Sequence, residues 1–109
     1  MSVLNKFDKP QGTRLFRGFP RKRMSDVEAF SFSRWGGLSS APYDELNTGF
    51  NTGDTRENVR YNRQIIKERL GLKLLASVGQ VHGDRIRVVG SLERDSEFDG
   101  FDGLLTRAR

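Results

Sequence analysis

His82 is the only histidine of the 109-residue chain, and it lies with Gln80 in residues 80–83, between two apolar runs. An imidazole titrates near neutral pH and binds transition metals, so a histidine in such a turn can transfer protons or hold a metal ion. A zinc site would need two or three further donors. The chain has no cysteine, which leaves only carboxylates for that task. A polar surface position without chemistry is the alternative interpretation of His82.

Two further segments combine glycine with polar side chains. Arg34 precedes the glycine pair at 36–37, where a guanidinium can bind a phosphate or a carboxylate beside a closely approaching backbone. Asn47 begins a glycine-containing turn, residues 47–54, that leads into a helix, and backbone N–H groups at a helix start can hold an anion. The phosphate-loop pattern Gly-Lys-Ser/Thr is absent, and Asp54 is expected to cap the helix instead. An ordinary loop and an ordinary capped turn remain the alternatives.

Hydrophobic patterning places these segments on an α/β fold. A helix over residues 55–70 is expected because Asp54 and Glu57 form a capping-box pattern, and because Gly71 can end the helix. Its apolar residues at helical spacing are Val59, Ile66 and Leu70, with Ile65 beside them. Strands are expected over residues 29–34, 74–78, 86–89 and from 104 onward, with residues 93–97 as a polar connection.

Basic side chains are concentrated at the start of the chain. Residues 1–23 carry seven Lys or Arg against one Asp, a net charge of +6, and residues 24–109 carry −1. Phenylalanines among these cations can stack on unpaired bases, but no nucleic-acid-binding motif accompanies them. We therefore expect a basic N-terminal arm over residues 1–27 and a domain over residues 28–109. Polyanion binding is the alternative to a solvated arm, and nucleic acid is not an expected partner.

Composition excludes several classes of protein. Without cysteine, the chain has neither a disulfide framework nor a thiolate site of its own, which is typical of a reducing compartment. No apolar run approaches the roughly 18 residues of a membrane span. No apolar region of a secretory signal follows the N-terminus. The expected location is the cytoplasm, with no membrane partner.

Five blocks of sequence together resemble one family. They are Phe-Ser-Arg-Trp-Gly-Gly-Leu-Ser at 32–39, Pro-Tyr-Asp-Glu-Leu-Asn-Thr-Gly-Phe-Asn-Thr-Gly-Asp at 42–54, Asn-Arg at 62–63, Gln-Val-His-Gly at 80–83 and Phe-Asp-Gly-Leu-Leu-Thr at 101–106. In this order they resemble the N-terminal half of the laccase-domain family. Its bacterial members are known as polyphenol oxidase, purine nucleoside phosphorylase or peptidoglycan editing factor.

The resemblance implies a fold and a metal site. The fold is a layered α/β (α+β) arrangement, a mixed sheet with flanking helices, of which this chain would be an incomplete half. The family's zinc ion is bound by two histidines and a cysteine, and His82 matches the first histidine. Ala-Asp-Cys and His-Ala-Gly-Trp-Arg-Gly, the motifs of the other two ligands, are absent. Gln80, Arg34 and Asn47 match residues that line the site, whereas Asn51 stands where the family often has histidine.

The resemblance also implies an activity. Family members split purine nucleosides with phosphate and deaminate adenosine, and some act on peptidoglycan precursors. Because this chain lacks two zinc ligands, we expect it to be inactive alone, either as a truncated product or as a half that pairs with a second polypeptide or with itself through exposed sheet edges. A non-catalytic interaction half-domain and a polyanion-binding module are the alternatives. Copper is not the expected metal, because copper oxidases need several histidines.

Overall fold

A computed structural model describes residues 15–17 and 27–108 of the chain. The described elements are β1 (Leu15–Arg17), β2 (Phe30–Phe32), α1 (Arg56–Leu70), β3 (Ala76–Gly79), β4 (Ile86–Val89), β5 (Ser96–Asp99) and β6 (Gly103–Thr106). A loop of more than twenty residues joins β2 to α1, and short turns join the later strands. None of the helices described is long and apolar enough to cross a membrane.

The strands form three pairs. β1 and β2 are antiparallel, whereas β3 pairs in parallel with β5 and β4 pairs in parallel with β6. The two parallel pairs are interleaved along the chain, and β3 lies beside β6. A helix combined with parallel strands confirms the expected α/β class. Parallel and antiparallel pairings are both present, in separate two-stranded sheets.

The predicted helix is confirmed, but its first turn differs from the prediction. Thr55 is the N-cap: its backbone is extended, with φ −72° and ψ 143°, and its hydroxyl accepts from the N–H of Asn58. The prediction of Asp54 as the N-cap, with Glu57 completing the capping box, was wrong. The carboxylate of Asp54 is engaged by four donors from the preceding loop and the first turn. At the other end, Gly71 has a φ of 68° and ends the helix as expected.

The strand predictions were right for β4 and close for β2, β3 and β6. Residues 93–97 were wrongly predicted to be only a connection, because β5 begins at Ser96. In the parallel ladder Glu97 lies opposite Ser77, and its carboxylate accepts from Ser77 and from Arg63. Hydrogen bonds of this kind make a polar segment a stable strand. Of the predicted arm, Leu15–Arg17 pairs with β2, and residues 1–14 and 18–26 lie outside the described residues.

Buried polar atoms hold the helix against the long loop. Among the described residues, the buried apolar side chains are Leu46, Val59 and Val89, whereas Asn62 is completely buried. The amide of Asn62 accepts from the N–H of Leu38 at 2.8 Å. It donates to the hydroxyl of Ser39 at 2.9 Å and to the carbonyl of Asn47 at 2.8 Å. One side chain therefore fixes two separate parts of the loop on the helix.

Gly37 is part of the same contact. A Cβ built on this glycine would overlap the carbonyl of Glu45 and lie 2.6 Å from Oδ1 of Asn62. Because real Cβ atoms do not approach oxygen that closely, the loop packs on α1 only with glycine at this position. The amide of Asn62 and the lack of a side chain at Gly37 therefore together hold the loop close to α1.

One face of the β4–β6 pair is apolar and uncovered. Ile86, Val88 and Leu105 are 64%, 71% and 61% exposed, and Val88 lies opposite Leu105 in the ladder. A groove of about 590 Å³ adjoins them, lined in part by Val89 and Ala108. Parallel strands are normally covered on both faces, so this face is suited to contact with further polypeptide.

Replacement of Asn62 by alanine is expected to lower the free energy of unfolding by about 3 kcal/mol, because buried groups lose their partners. The measurement is urea denaturation of the 109-residue chain, followed by the fluorescence of its single tryptophan, Trp35. Gln64→Ala, at an exposed position of the same helix, is the control and should change the stability by less than about 0.5 kcal/mol. Equal stability of the two variants would contradict the anchoring role of Asn62.

Candidate functional site

His82 is exposed in the turn between β3 and β4. Its φ of 60° is a left-handed backbone conformation, which residues with a side chain seldom adopt. Three successive backbone N–H groups donate to the carboxylate of Asp102: those of Val81 at 3.0 Å, His82 at 2.8 Å and Gly83 at 2.7 Å. The carboxylate therefore closes the turn and leaves the imidazole facing solvent.

The same hydrogen bonds keep Asp102 ionised. The N–H of Gly83 is the largest cause that lowers the pKa of this carboxyl below its ordinary range, and partial desolvation opposes it. The N–H groups of His82 and Val81 lower the pKa further. The N–H of Asp102 itself donates to the carbonyl of Arg85 at 2.9 Å, so the carboxylate is tied to the start of β4.

Polar side chains also meet at the carboxyl ends of β3 and β5. A Cβ built on Gly79 would overlap the carboxylate of Asp99 and lie 3.3 Å from Nδ2 of Asn51. Gln80 follows and is exposed. The carboxyl ends of parallel strands are a common location for ligands. The fold therefore places Gln80 and His82 together at an edge where binding sites are usual.

Asp54 organises the long loop. Its carboxylate accepts from the hydroxyl of Ser39, from Nδ2 of Asn47 at 3.1 Å and from the N–H of Thr55 at 2.8 Å. Nδ2 of Asn58 is a further donor at 3.3 Å. The bond from Ser39 is the largest cause that lowers the pKa of Asp54, partial desolvation opposes it, and the bonds from Asn47, Thr55 and Asn58 add to the lowering. The carboxylate of Asp54 therefore joins the loop to the first turn of α1.

Arg34 and Asn47 lie in this loop, apart from the His82 turn. Oδ1 of Asn47 accepts from the N–H of Gly49, and its Nδ2 donates to Thr52 and Asp54, each at 3.1 Å. Its amide is thus engaged within the loop. In the described residues, no hydrogen bond or ion pair joins Arg34 or Asn47 to Gln80 or His82.

The guanidinium of Arg34 is exposed. It lies 4.1 Å from the ring centre of Trp35, and its Nη2 is 3.6 Å from the carboxylate of Asp44. Its backbone carbonyl accepts from two loop N–H groups, those of Glu45 and Leu46. The backbone of Arg34 thus belongs to the fold of the loop, and its guanidinium faces solvent.

Sequence reasoning missed the role of Arg63. Its guanidinium donates to the carbonyl of Thr48 at 2.9 and 2.7 Å, to the hydroxyl of Ser77 at 2.7 Å and to the carboxylate of Glu97 at 3.0 Å. It also covers the ring of Phe50 at 4.2 Å. One side chain thereby joins α1 to the loop, to β3 and to β5. Its place in the Asn-Arg block was visible in the sequence, but its partners are distant along the chain.

A polar cavity of about 490 Å³ lies beside Arg63. Its charged lining residues are Arg56, Arg60, Arg63, Asp95, Glu97 and Asp99. Three cations face three carboxylates, so the cavity has no strong preference for one sign of charge. Its lining includes Asn51 but not Arg34, Asn47, Gln80 or His82.

The described residues do not by themselves form a metal site. No group of three or more histidine, cysteine, aspartate or glutamate side chains among residues 15–17 and 27–108 could hold an ion. The carboxylate of Asp102 is bound to the His82 turn, but it already accepts from three N–H groups there. His82 is exposed and offers one imidazole donor.

The helix and the two parallel strand pairs make this an α/β protein. The chain belongs to the family described as multi-copper polyphenol oxidoreductase laccase, which it matches over residues 28–109. The resemblance noted in the sequence is thereby confirmed.

The chain is also similar to proteins named purine nucleoside phosphorylase. It is 42% identical over 84 residues to one from Streptomyces griseus, and 37% identical over 83 residues to one from Streptomyces coelicolor. Each match covers 73% of this chain and 34% of the relative. A relative from Haemophilus influenzae is 36% identical over 62 residues, 56% of this chain and 25% of that protein. The matches thus span between a quarter and a third of the length of these relatives. No solved structure matches it.

Arg63→Lys should lower the free energy of unfolding by roughly 1–3 kcal/mol, because an ammonium cannot serve three acceptors in the plane of a guanidinium. Arg63 and Glu97 are only 12% and 19% exposed, so solvent screens their contact weakly. Chemical denaturation measures the effect. Arg60→Lys, at an exposed position one turn earlier, is the matched control and should leave the stability unchanged; a similar loss in both variants would argue against the joint.

Asp54→Asn tests the loop carboxylate through pH. The pKa of Asp54 is lowered on folding, so its ionised form stabilises the fold above the ordinary aspartate pKa of about 3.9. That contribution is lost as the pH falls through the lower, folded pKa. We expect the variant to be less stable than the unmodified chain at pH 7, and the difference to shrink as acid titrates the unmodified chain. Denaturation at several pH values measures it, with exposed Asp84→Asn as the control. A difference that stays constant with pH would count against the prediction.

Proposed function

We propose that this chain supplies the N-terminal part of a zinc-dependent purine nucleoside phosphorylase. The observation that carries the proposal is the family match over residues 28–109, together with relatives named purine nucleoside phosphorylase. The geometry supports it, because the one histidine of the chain is exposed at the carboxyl ends of two parallel strands.

The proposed roles follow the position of each side chain. His82 contributes one imidazole to the zinc site, whose other ligands come from the part of the family's fold that the chain does not span. Gln80, in the same exposed turn, orients the base or a water molecule. Arg34 binds phosphate or a ribose oxygen with its exposed guanidinium. Asn47 supports the site by holding the loop in shape.

The proposed reaction is phosphorolysis. Phosphate bonds to C1′ of the ribose as the bond to the purine nitrogen breaks, and the products are free base and ribose 1-phosphate. Deamination of adenosine is the second proposed activity. The proposed compartment is the cytoplasm, which the absence of cysteine supports.

The apolar face of β4 and β6 supports a role in association. We propose that it packs against polypeptide equivalent to the remaining two thirds of the relatives, because the chain spans only 34% of their length. Val88 and Leu105 would then be buried in the contact. The second candidate function, an interaction half-domain without catalysis, is favoured by the same face. A second copy of the chain is the competing occupant, which size-exclusion chromatography would reveal as a concentration-dependent dimer.

The purified 109-residue chain is expected to release no base from adenosine with phosphate and zinc, since it offers a single imidazole. The measurement is chromatography of the reaction products. The comparison is the Streptomyces griseus phosphorylase whose matching segment has been replaced by residues 28–109 of this chain; this chimera should be active. Base release by the chain alone at a rate similar to that of the chimera would refute the expectation.

His82→Ala in that chimera should abolish both phosphorolysis and the binding of zinc, the latter measured by competition with a chelator. Asp84→Asn, two residues away and exposed, is the control and should retain both. A fully active His82→Ala chimera would remove His82 from the site.

A further inference from the structure

We infer that Asp102 is the positioning residue of His82. Its carboxylate fixes the backbone of residues 81–83 and so sets the direction in which the imidazole leaves the turn. The inference rests on the proposed function, because it takes His82 as the side chain that the turn presents.

Both oxygens of the carboxylate take part. Oδ1 accepts from Val81 and His82, at 3.0 and 2.8 Å, and Oδ2 accepts from Gly83 at 2.7 Å. Successive N–H groups that point into one concavity form an anion-binding site. Here an anion of the same chain fills it. Because three donors meet two oxygens, the peptide planes of the turn cannot rotate without breaking a bond.

The turn needs such a constraint. The φ of His82 is 60°, in the region that costs energy for any residue with a Cβ. The bonds to Asp102 offset that cost. Asp102 in turn is held by its N–H bond to the carbonyl of Arg85, and the next residue, Gly103, lies opposite Ile86 in the β4–β6 ladder. The position of the imidazole is thereby fixed relative to the β4–β6 ladder.

The chain provides its own matched comparison. Asp99 occupies the same place in the preceding Phe-Asp-Gly triplet, residues 98–100, as Asp102 does in residues 101–103. Asp99 is exposed and lies against Gly79 rather than the His82 turn. Identical local sequence therefore surrounds one aspartate that holds the turn and one that does not.

The first test begins with the unmodified chain and then compares two variants. In the unmodified chain, scalar couplings across hydrogen bonds should connect the carboxylate carbon of Asp102 with the amide nitrogens of His82 and Gly83 in nuclear magnetic resonance spectra. Asp102→Asn replaces one acceptor oxygen by a donor, and amide hydrogen exchange at residues 81–83 should become at least about tenfold faster. Asp99→Asn should leave it unchanged. Absence of the couplings, or equal exchange in both variants, overturns the inference.

The second test separates positioning from mere stability. In the chimera, Asp102→Asn should lower kcat/KM for phosphorolysis roughly tenfold or more, as is usual for groups that orient a ligand side chain. Asp84→Asn, at an exposed position, should have no effect, and the zinc affinity of the Asp102→Asn chimera should fall in parallel. If His82→Ala abolishes activity and Asp102→Asn does not change it, the inference fails and the proposed function stands. If activity survives His82→Ala, the proposed function fails, and the positioning role fails with it.

Discussion

The fold depends on one buried amide. Asn62 has no access to solvent, and its oxygen and nitrogen bind two separated parts of the loop between β2 and α1. With Leu46, Val59 and Val89 as the buried apolar side chains of the described residues, the hydrophobic effect alone cannot hold a loop of this length. Hydrogen bonds made away from water specify a single arrangement, since each partner left unpaired would be costly.

Charged side chains add further hydrogen bonds between parts of the fold. Arg63 joins the helix to β3 and β5. Asp54 accepts from donors of the loop and of the first helical turn, and Asp102 accepts from three successive N–H groups. In both carboxyls those donors lower the pKa. The polar side chains with the most contacts therefore support the structure, whereas His82, Gln80 and the guanidinium of Arg34 are exposed. Rigid support beneath exposed chemical groups is what a binding site requires.

Local patterns predicted the local structure. The helix over 55–70 and the strand over 86–89 could be read from apolar spacing and from Gly71, because these signals act within one element. The role of Asp54 could not be read in this way. Thr55 next to it is an equally good helix cap, and which of the two caps the helix depends on Ser39, fifteen residues from Asp54. β5 was missed for a similar reason: its polar residues are stabilised by Ser77 and Arg63, which only the tertiary fold brings near.

The candidate site was predictable in part. Gln80 and His82 share a turn, so their proximity follows from the sequence, and the five blocks of motif led to the family that the comparison confirmed. Asp102 was not identified, because three backbone N–H groups leave no trace in side-chain types. The tandem triplet at 98–103 was visible, but only the structure distinguishes its two aspartates.

The order of the parallel ladders constrains how the chain folds during synthesis. β3 pairs with residues twenty positions later, as Ala76 lies opposite Ser96, and β4 waits for residues from Gly103 onward. The β3–β5 ladder can close only after β4 has been synthesised, and the β4–β6 ladder only after β5 has been synthesised. Such non-local pairing is slow. Throughout that interval Ile86 and Val88 have no partner strand. The nascent chain therefore exposes apolar strand residues until β6 has been synthesised.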